Sequence, residues 1–145
     1  MGTKTRTIIC LAAKRSGTTA IHRIFANHPD VSIAHPVQKV RNNEPNFWNF
    51  SADAIIEQGK ATDDQQTTYQ RFVDQVAIIA PDIPVPKHLT EDTIFDLWDA
   101  IAERYAPAVF DKSPRYLETS TGLDLLLRYK DSGRDVRLFG IMRAP

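Results

Sequence analysis

The sequence has a single cysteine, Cys10, so no disulfide can form within the chain and a disulfide-based scaffold is excluded. Cys10 stands inside an apolar run, which indicates a buried core thiol. The net charge is zero, with 18 basic and 18 acidic residues, and this argues against a general nucleic-acid or membrane-surface binder. No apolar run is long enough to cross a bilayer or to act as a signal peptide. We therefore expect a cytoplasmic protein whose partners include neither nucleic acid nor membrane.

The composition is that of a globular domain, with 42% hydrophobic and 25% charged residues. The length, 145 residues, is that of a single domain. Charge is unevenly distributed, because the first 29 residues contain five Lys or Arg and no carboxylate. Positive potential should therefore concentrate near the amino terminus. No His, Cys or carboxylate spacing resembles a zinc site, so we expect no metal.

A strand, a basic loop and a helix are predicted in succession near the amino terminus. Residues 8–12 form a short apolar run typical of a strand covered on both faces, and the apolar positions of residues 21–25 fall on one side of a helix. The loop between them contains cations, hydroxyls and a glycine, namely Lys14, Arg15, Ser16, Gly17, Thr18 and Thr19. Unpaired N–H groups and a partial positive charge meet at a helix N-terminus, so this pattern predicts a phosphate or sulfate site. The alternative is an ordinary helix N-cap formed by Ser16 or Thr18.

Glu44 stands next to a group of aromatic residues. It is followed by Pro45 and then by Phe47, Trp48 and Phe50. Apolar surroundings raise the pKa of a carboxyl group toward the range in which it acts as a general base, and a restricted backbone can direct it. From the residues alone, the simpler interpretation is an exposed loop acid beside a core aromatic cluster.

Two further strands lead into basic residues. Residues 108–111 predict a strand that runs into Lys112, and residues 136–142 predict another that runs into Arg143. Ligands of parallel sheets bind at the carboxyl ends of strands, so Lys112 is a candidate for the same crevice as the anion loop. The alternative for Lys112 is a solvated turn cation.

The remaining chain is predicted to be mainly helical. Residues 51–106 contain helices interrupted by a proline-rich loop, and Thr90 is predicted to start one of them with Trp98 in the core. Residues 117–129 predict a further helix. Its inward side chains are expected to be Leu123, Leu126 and Leu127.

The first two of these segments resemble motifs of the sulfotransferases that use 3'-phosphoadenylyl sulfate (PAPS), of the bacterial type and the heparan-sulfate-sulfotransferase-like type. Residues 14–19 are similar to their 5'-phosphosulfate loop, Pro-Lys/Arg-Ser-Gly-Thr-Thr, with Lys14 in place of proline. The segment around Glu44 is similar to Lys-Glu-x-His/Asn-Phe-Phe, with Asn43 in place of lysine.

The later segments resemble motifs of the same family. Residues 111–116 are similar to Glu-Lys-Ser/Thr-Pro-x-Tyr, with Asp111 in place of glutamate, and residues 143–145 match Arg-x-Pro. The four motifs occur in the family's order, which is more specific than any one of them alone.

The resemblance implies a role for each motif. PAPS would be the co-substrate, with its 5'-phosphosulfate in the loop from Lys14 to Thr19 and its 3'-phosphate against Arg143. Glu44 would take the proton from an acceptor hydroxyl or amine, and Arg15 and Lys112 would complete the catalytic set. The acceptor would be a small molecule or a glycan, and no metal would be required.

The resemblance also implies the fold, an α/β, P-loop-like three-layer domain with a central parallel sheet flanked by helices. Residues 1–145 would form its amino-terminal part, truncated at the carboxyl end, because the serine and the glycine-rich segment that follow Arg-x-Pro in the family are missing.

Two alternatives remain open from the sequence. A small-molecule kinase would use the loop as a variant of Gly-x-x-x-x-Gly-Lys-Ser/Thr, but Thr18 stands where the lysine is needed. Such a kinase should require magnesium and prefer ATP. The second alternative is a non-catalytic fragment that keeps the fold without a complete donor pocket.

Overall fold

The computed structural model describes residues 5–13, 18–34, 46–60 and 67–141. Within these ranges strands and helices alternate, and three helices fill the long connection between the second and third strands. In chain order the elements are β1 (Arg6–Ala12), α1 (Thr18–Ala26), β2 (Val31–Ile33), α2 (Phe47–Lys60), α3 (Thr67–Ile79), α4 (Glu91–Arg104), β3 (Ala108–Lys112), a 3-10 helix (Pro114–Leu117), α5 (Ser120–Asp131) and β4 (Val136–Ile141).

The four described strands form one parallel sheet in the order β2-β3-β1-β4. In the register of this sheet, Ile9 of β1 lies opposite Asp111 on one side and opposite Leu138 on the other. A short apolar strand suits this central position because both of its faces are covered. The predicted α/β fold with a central parallel sheet is therefore confirmed.

Helices cover both faces of the sheet and produce three layers. Cys10 and Phe110 face α1, where Phe25 stacks on Phe110 with 4.4 Å between the ring centroids. Ile9 and Val109 face the opposite side and join the core that includes residues of α2 to α5. Successive side chains of a strand point to opposite faces, so the single run of apolar residues in β1 serves both layers.

Aromatic rings form the centre of the larger core. The ring centroid of Trp98 lies 4.8 Å from that of Phe47 and 5.5 Å from that of Trp48, which in turn lies 4.9 Å from that of Tyr129. Trp98 Nε1 donates a hydrogen bond of 3.0 Å to Thr7 Oγ1 and so ties α4 to β1. Trp98 is buried as predicted, and these contacts hold α2, α4 and α5 against the sheet.

The helix predicted over residues 117–129 differs from the structure in its start and its phase. Pro114–Leu117 form a separate 3-10 helix whose last residue is exposed, and α5 starts only after it. Leu126 is buried, but Leu127 is exposed and Leu123 is only half-buried. The buried stripe of α5 consists of Gly122, Leu125, Leu126 and Tyr129. Three consecutive leucines do not reveal the phase of a helix, so the sequence pattern predicts an inward face that is one residue out of register.

Replacing Gly122 by Ala is expected to destabilise the domain by about 2 kcal/mol, the usual cost of overpacking. An added Cβ would overlap Oδ1 of Asn49 and lie 2.9 Å from its Cα, so α5 and α2 would have to separate. Urea unfolding measures the change. The matched control is Gly59→Ala in α2, where no atom lies within 4 Å of the new Cβ. We expect that control to be neutral or slightly stabilising, and equal losses in the two variants would contradict the packing argument.

No helix in the described ranges combines the length and the apolar character needed to span a membrane.

Candidate functional site

Three strands end at one edge of the sheet, and in the chain a predicted site segment lies at the end of each strand or follows it. β1 ends at Ala12, opposite Ile141 of β4, and Lys112 at the end of β3 lies opposite Cys10 of β1. In the chain, the predicted anion loop follows β1, the Lys112 motif ends β3 and Arg143 follows β4. This carboxyl edge is where ligands of open parallel sheets bind.

The predicted site residues differ in how far the structure describes them. Thr18 and Thr19 are described as the first two residues of α1, and Lys112 is described with its side chain. The other predicted site residues, Lys14, Arg15, Ser16, Gly17, Glu44 and Arg143, lie outside the described residues. Their roles stay predictions.

Lys112 is a buried cation, only 7% exposed, and so it is not a solvated turn residue. Its side chain lies on the face of the sheet that α1 covers, near Cys10 and His22. Burial lowers the pKa of His22, and the charge of Lys112 lowers it further, so both favour the neutral imidazole. Burial raises the pKa of the Cys10 thiol, although Lys112 partly opposes this, and the thiol stays protonated as expected of a core residue. Lys112 thus supplies positive charge at the end of β3.

Asp111 is fully enclosed beside Lys112 but faces the opposite side of the sheet. Its Oδ2 accepts a hydrogen bond of 2.7 Å from the hydroxyl of Tyr116, which is also completely buried. Burial raises the pKa of Asp111 to about 7, even though the bond from Tyr116 lowers it. No hydrogen-bond partner for Oδ1 of Asp111 is found among the described residues. This carboxyl group is therefore protonated in part of its population at neutral pH.

The segment that follows Lys112 contacts the residue that precedes α2. Ser113 Oγ donates a hydrogen bond to Oδ1 of Asn46, and both side chains are buried. Ser113 Oγ also accepts from the backbone N–H of Arg115 at 3.3 Å and so caps the 3-10 helix. Asn46 has a φ of 48°, in the left-handed region that asparagine tolerates better than most residues. Glu44 stands two residues before Asn46 in the chain, so this contact links its segment to Lys112.

Sequence reasoning missed the parts played by Asn46, Ser113 and Tyr116. It identified the segment of residues 111–116 but assigned a role only to Lys112. Ser113 and Asn46 are separated by 67 residues, and no local pattern reveals such a contact. The usable signal was the position of both segments next to predicted site residues.

A cavity of about 390 Å³ lies elsewhere, near the amino ends of β1 and β4. Its lining includes Asp99, Tyr129 and Arg134. Tyr129 donates to Asp99 at 2.6 Å, and Arg134 Nε donates to the same carboxylate at 2.8 Å. These polar groups satisfy one another and join α4 to α5 and the start of β4, so we regard this cluster as structural.

Within the described residues, no group of three or more His, Cys, Asp or Glu side chains could hold a metal ion. The expectation that no metal is required stays a prediction.

Comparison with known protein families gives a match. The protein-family model of the sulfotransferase family matches residues 7–129, from β1 into α5. No curated protein and no solved structure gives a significant match. The matched range includes the predicted anion loop, Glu44 and Lys112, whereas Arg143 lies beyond it.

Proposed function

Because the chain belongs to the sulfotransferase family, a family of transferases, we propose that it transfers a sulfuryl group from PAPS to an acceptor hydroxyl or amine. The family match over residues 7–129 is the observation that carries this proposal. In the proposed reaction the acceptor atom forms a bond to sulfur as the bond from sulfur to the 5'-phosphate oxygen breaks. The acceptor's proton goes to Glu44, and 3'-phosphoadenosine 5'-phosphate (PAP) leaves.

The donor would bind at the carboxyl edge of the sheet. The N-terminus of α1 lies at Thr18, and free N–H groups together with the helix dipole favour an anion there. The buried ammonium of Lys112 adds positive charge at the neighbouring strand. With Arg15 and the loop amides, these groups would stabilise charge on the transferring group and on the leaving phosphate.

Glu44 is proposed as the base because its segment is linked to Lys112. Asn46 is hydrogen-bonded to Ser113, the residue directly after Lys112. Two residues of chain reach at most about 7 Å, so Glu44 stays within that reach of Asn46. A carboxylate and a cation would then stand on the acceptor side and the donor side of one reaction centre.

The partners are proposed on the same basis. The acceptor would be a small molecule or a glycan, with neither nucleic acid nor membrane as a partner, and the reaction would take place in the cytoplasm without a metal.

Calorimetric titration with PAP, with 5'-AMP and with ATP plus magnesium tests the proposed donor. We expect PAP to bind about 100-fold more tightly than 5'-AMP, because a charge-assisted contact to the 3'-phosphate contributes about 1.5–3 kcal/mol. Arg143→Ala should remove most of this preference and leave the affinity for 5'-AMP unchanged.

Other binding results would contradict the proposal. Preference for ATP with magnesium would favour the kinase with a variant loop. Binding of none of the three nucleotides would favour the interpretation of the chain as a non-catalytic fragment.

A further inference from the structure

The start of α2 is held by side chains from a distant part of the chain. Its first four N–H groups have no partners within the helix and must be satisfied from outside. Tyr116 lies at this end of α2 and is completely buried. Burial and the neighbouring Asp111 raise the pKa of the Tyr116 hydroxyl well above its ordinary value, whereas the nearby backbone N–H groups of Trp48 and Phe47 lower it. The same hydroxyl donates a hydrogen bond to Asp111 Oδ2.

A second contact reaches the residue immediately before α2. Ser113 Oγ donates to Asn46 Oδ1, and neither side chain is more than 9% exposed. The backbone of Asn46 is in the left-handed region, which few residues other than glycine and asparagine adopt. The backbone direction at the start of α2 is therefore restricted.

Both contacts come from one segment, residues 111–116. Asp111 and Lys112 belong to β3, and Ser113 caps the 3-10 helix that carries Tyr116. Ser113 and Asp111 therefore flank Lys112. Ser113 bonds to Asn46, which follows Glu44 in the chain, and Asp111 bonds to Tyr116. A displacement at the start of α2 would move Asn46, to which Glu44 is joined through one intervening residue.

We propose that Tyr116 and Ser113 are positioning residues that fix the start of α2 and thereby direct Glu44 toward the acceptor. The inference rests on the proposed function, because it assumes that Glu44 is the base. Tyr116 and Ser113 touch neither substrate in this scheme. They act through Trp48, Phe47 and Asn46.

Tyr116→Phe removes the hydroxyl and keeps the ring, which makes it the most selective test. We expect turnover to fall about 100-fold, the usual consequence of a misplacement of about 1 Å, with PAP affinity unchanged. Hydrogen exchange at the amides of Phe47 and Trp48 should become about tenfold faster, as expected for the loss of one hydrogen bond. Turnover is followed as release of PAP from PAPS with 4-nitrophenol, glucosamine or dodecanol as acceptor.

Tyr129→Phe is the matched control. Tyr129 is also a buried tyrosine, and its hydroxyl donates to a carboxylate, Asp99, at 2.6 Å, but it lies near the amino ends of the strands. We expect a similar loss of thermal stability in both variants. Turnover and exchange at Phe47 and Trp48 should change only in Tyr116→Phe.

Substitutions of Ser113 provide a second test of the proposal. Ser113→Ala should lower turnover without weakening PAP binding, and Ser113→Thr, which keeps a hydroxyl, should restore most of it. Failure of threonine to restore turnover, with both variants folded, would contradict a role for the hydroxyl.

The outcomes separate this inference from the proposed function. Unchanged exchange at Phe47 and Trp48 in Tyr116→Phe would overturn the inference, whatever the turnover. Faster exchange with turnover at the wild-type level would show that the start of α2 does not direct the base, and would overturn it as well. If the wild-type protein bound no PAP, the proposed function would fail, while the exchange result would still decide whether Tyr116 holds α2.

Discussion

Replacing Glu44 by Gln is expected to lower sulfuryl transfer about 10³-fold and to leave the affinity for PAP unchanged, because general base catalysis contributes roughly 10²–10⁴-fold. Glutamine keeps the size and the shape of the side chain, but its amide cannot act as a base and accept a proton. The rate is measured as release of PAP from PAPS in the presence of an acceptor, and affinity by calorimetry. The wild-type rate should fall on acidification as the base becomes protonated, whereas the residual rate of the variant should not show this dependence.

Glu103→Gln is the matched control for this change. Glu103 is exposed in α4 and borders the cavity near the amino ends of the strands, so the same loss of charge occurs far from the proposed site. We expect the control to keep wild-type turnover. A loss of PAP affinity in Glu44→Gln would indicate a structural or donor-binding role and would rule out its assignment as a base acting only in the chemical step.

The sheet could be predicted because each strand carries its own local signal. Residues 8–12 and 108–110 are short apolar runs. The helical periodicity between the strands indicates crossover connections, which parallel strands need. The start of α4 was also predictable, since Thr90 forms a capping box with Thr93. These features depend on neighbours within a few residues.

The start of α2 could not be predicted in the same way. The predicted helical region began at residue 51, whereas α2 begins at Phe47, inside the aromatic group. The backbone N–H groups of Phe47 and Trp48 influence the pKa of Tyr116, about seventy residues later in the chain, and the sequence close to α2 does not reveal that neighbour. The same limit applied to the candidate site, where position at a strand end identified Lys112 but could not reveal its burial or the contact between Ser113 and Asn46.

Asp111 gives the domain a pH-dependent stability that Asp111→Asn should remove. Burial raises the pKa of Asp111 from its ordinary value of 3.8 to about 7 in the folded protein. Between these two values the folded state holds a proton that the unfolded chain releases, so the free energy of unfolding falls as pH rises. The contribution is fully present below about pH 4 and is lost as pH rises through 7, a change of about 4 kcal/mol for this one group.

Urea unfolding at pH 5 and pH 8 measures this effect. Asparagine has nearly the same shape, carries no charge at either pH and can still accept a hydrogen bond from Tyr116 through its side-chain oxygen. We therefore expect Asp111→Asn to gain about 2.5 kcal/mol of stability relative to the wild type between pH 5 and pH 8, and to be the more stable of the two at pH 8. Asp131→Asn, at the exposed end of α5, controls for the loss of one negative charge. Parallel pH dependences in the wild type and Asp111→Asn would mean that the buried carboxyl group ionises as it does in the unfolded chain. That result would require a positive or hydrogen-bonding partner for Asp111 beyond Tyr116.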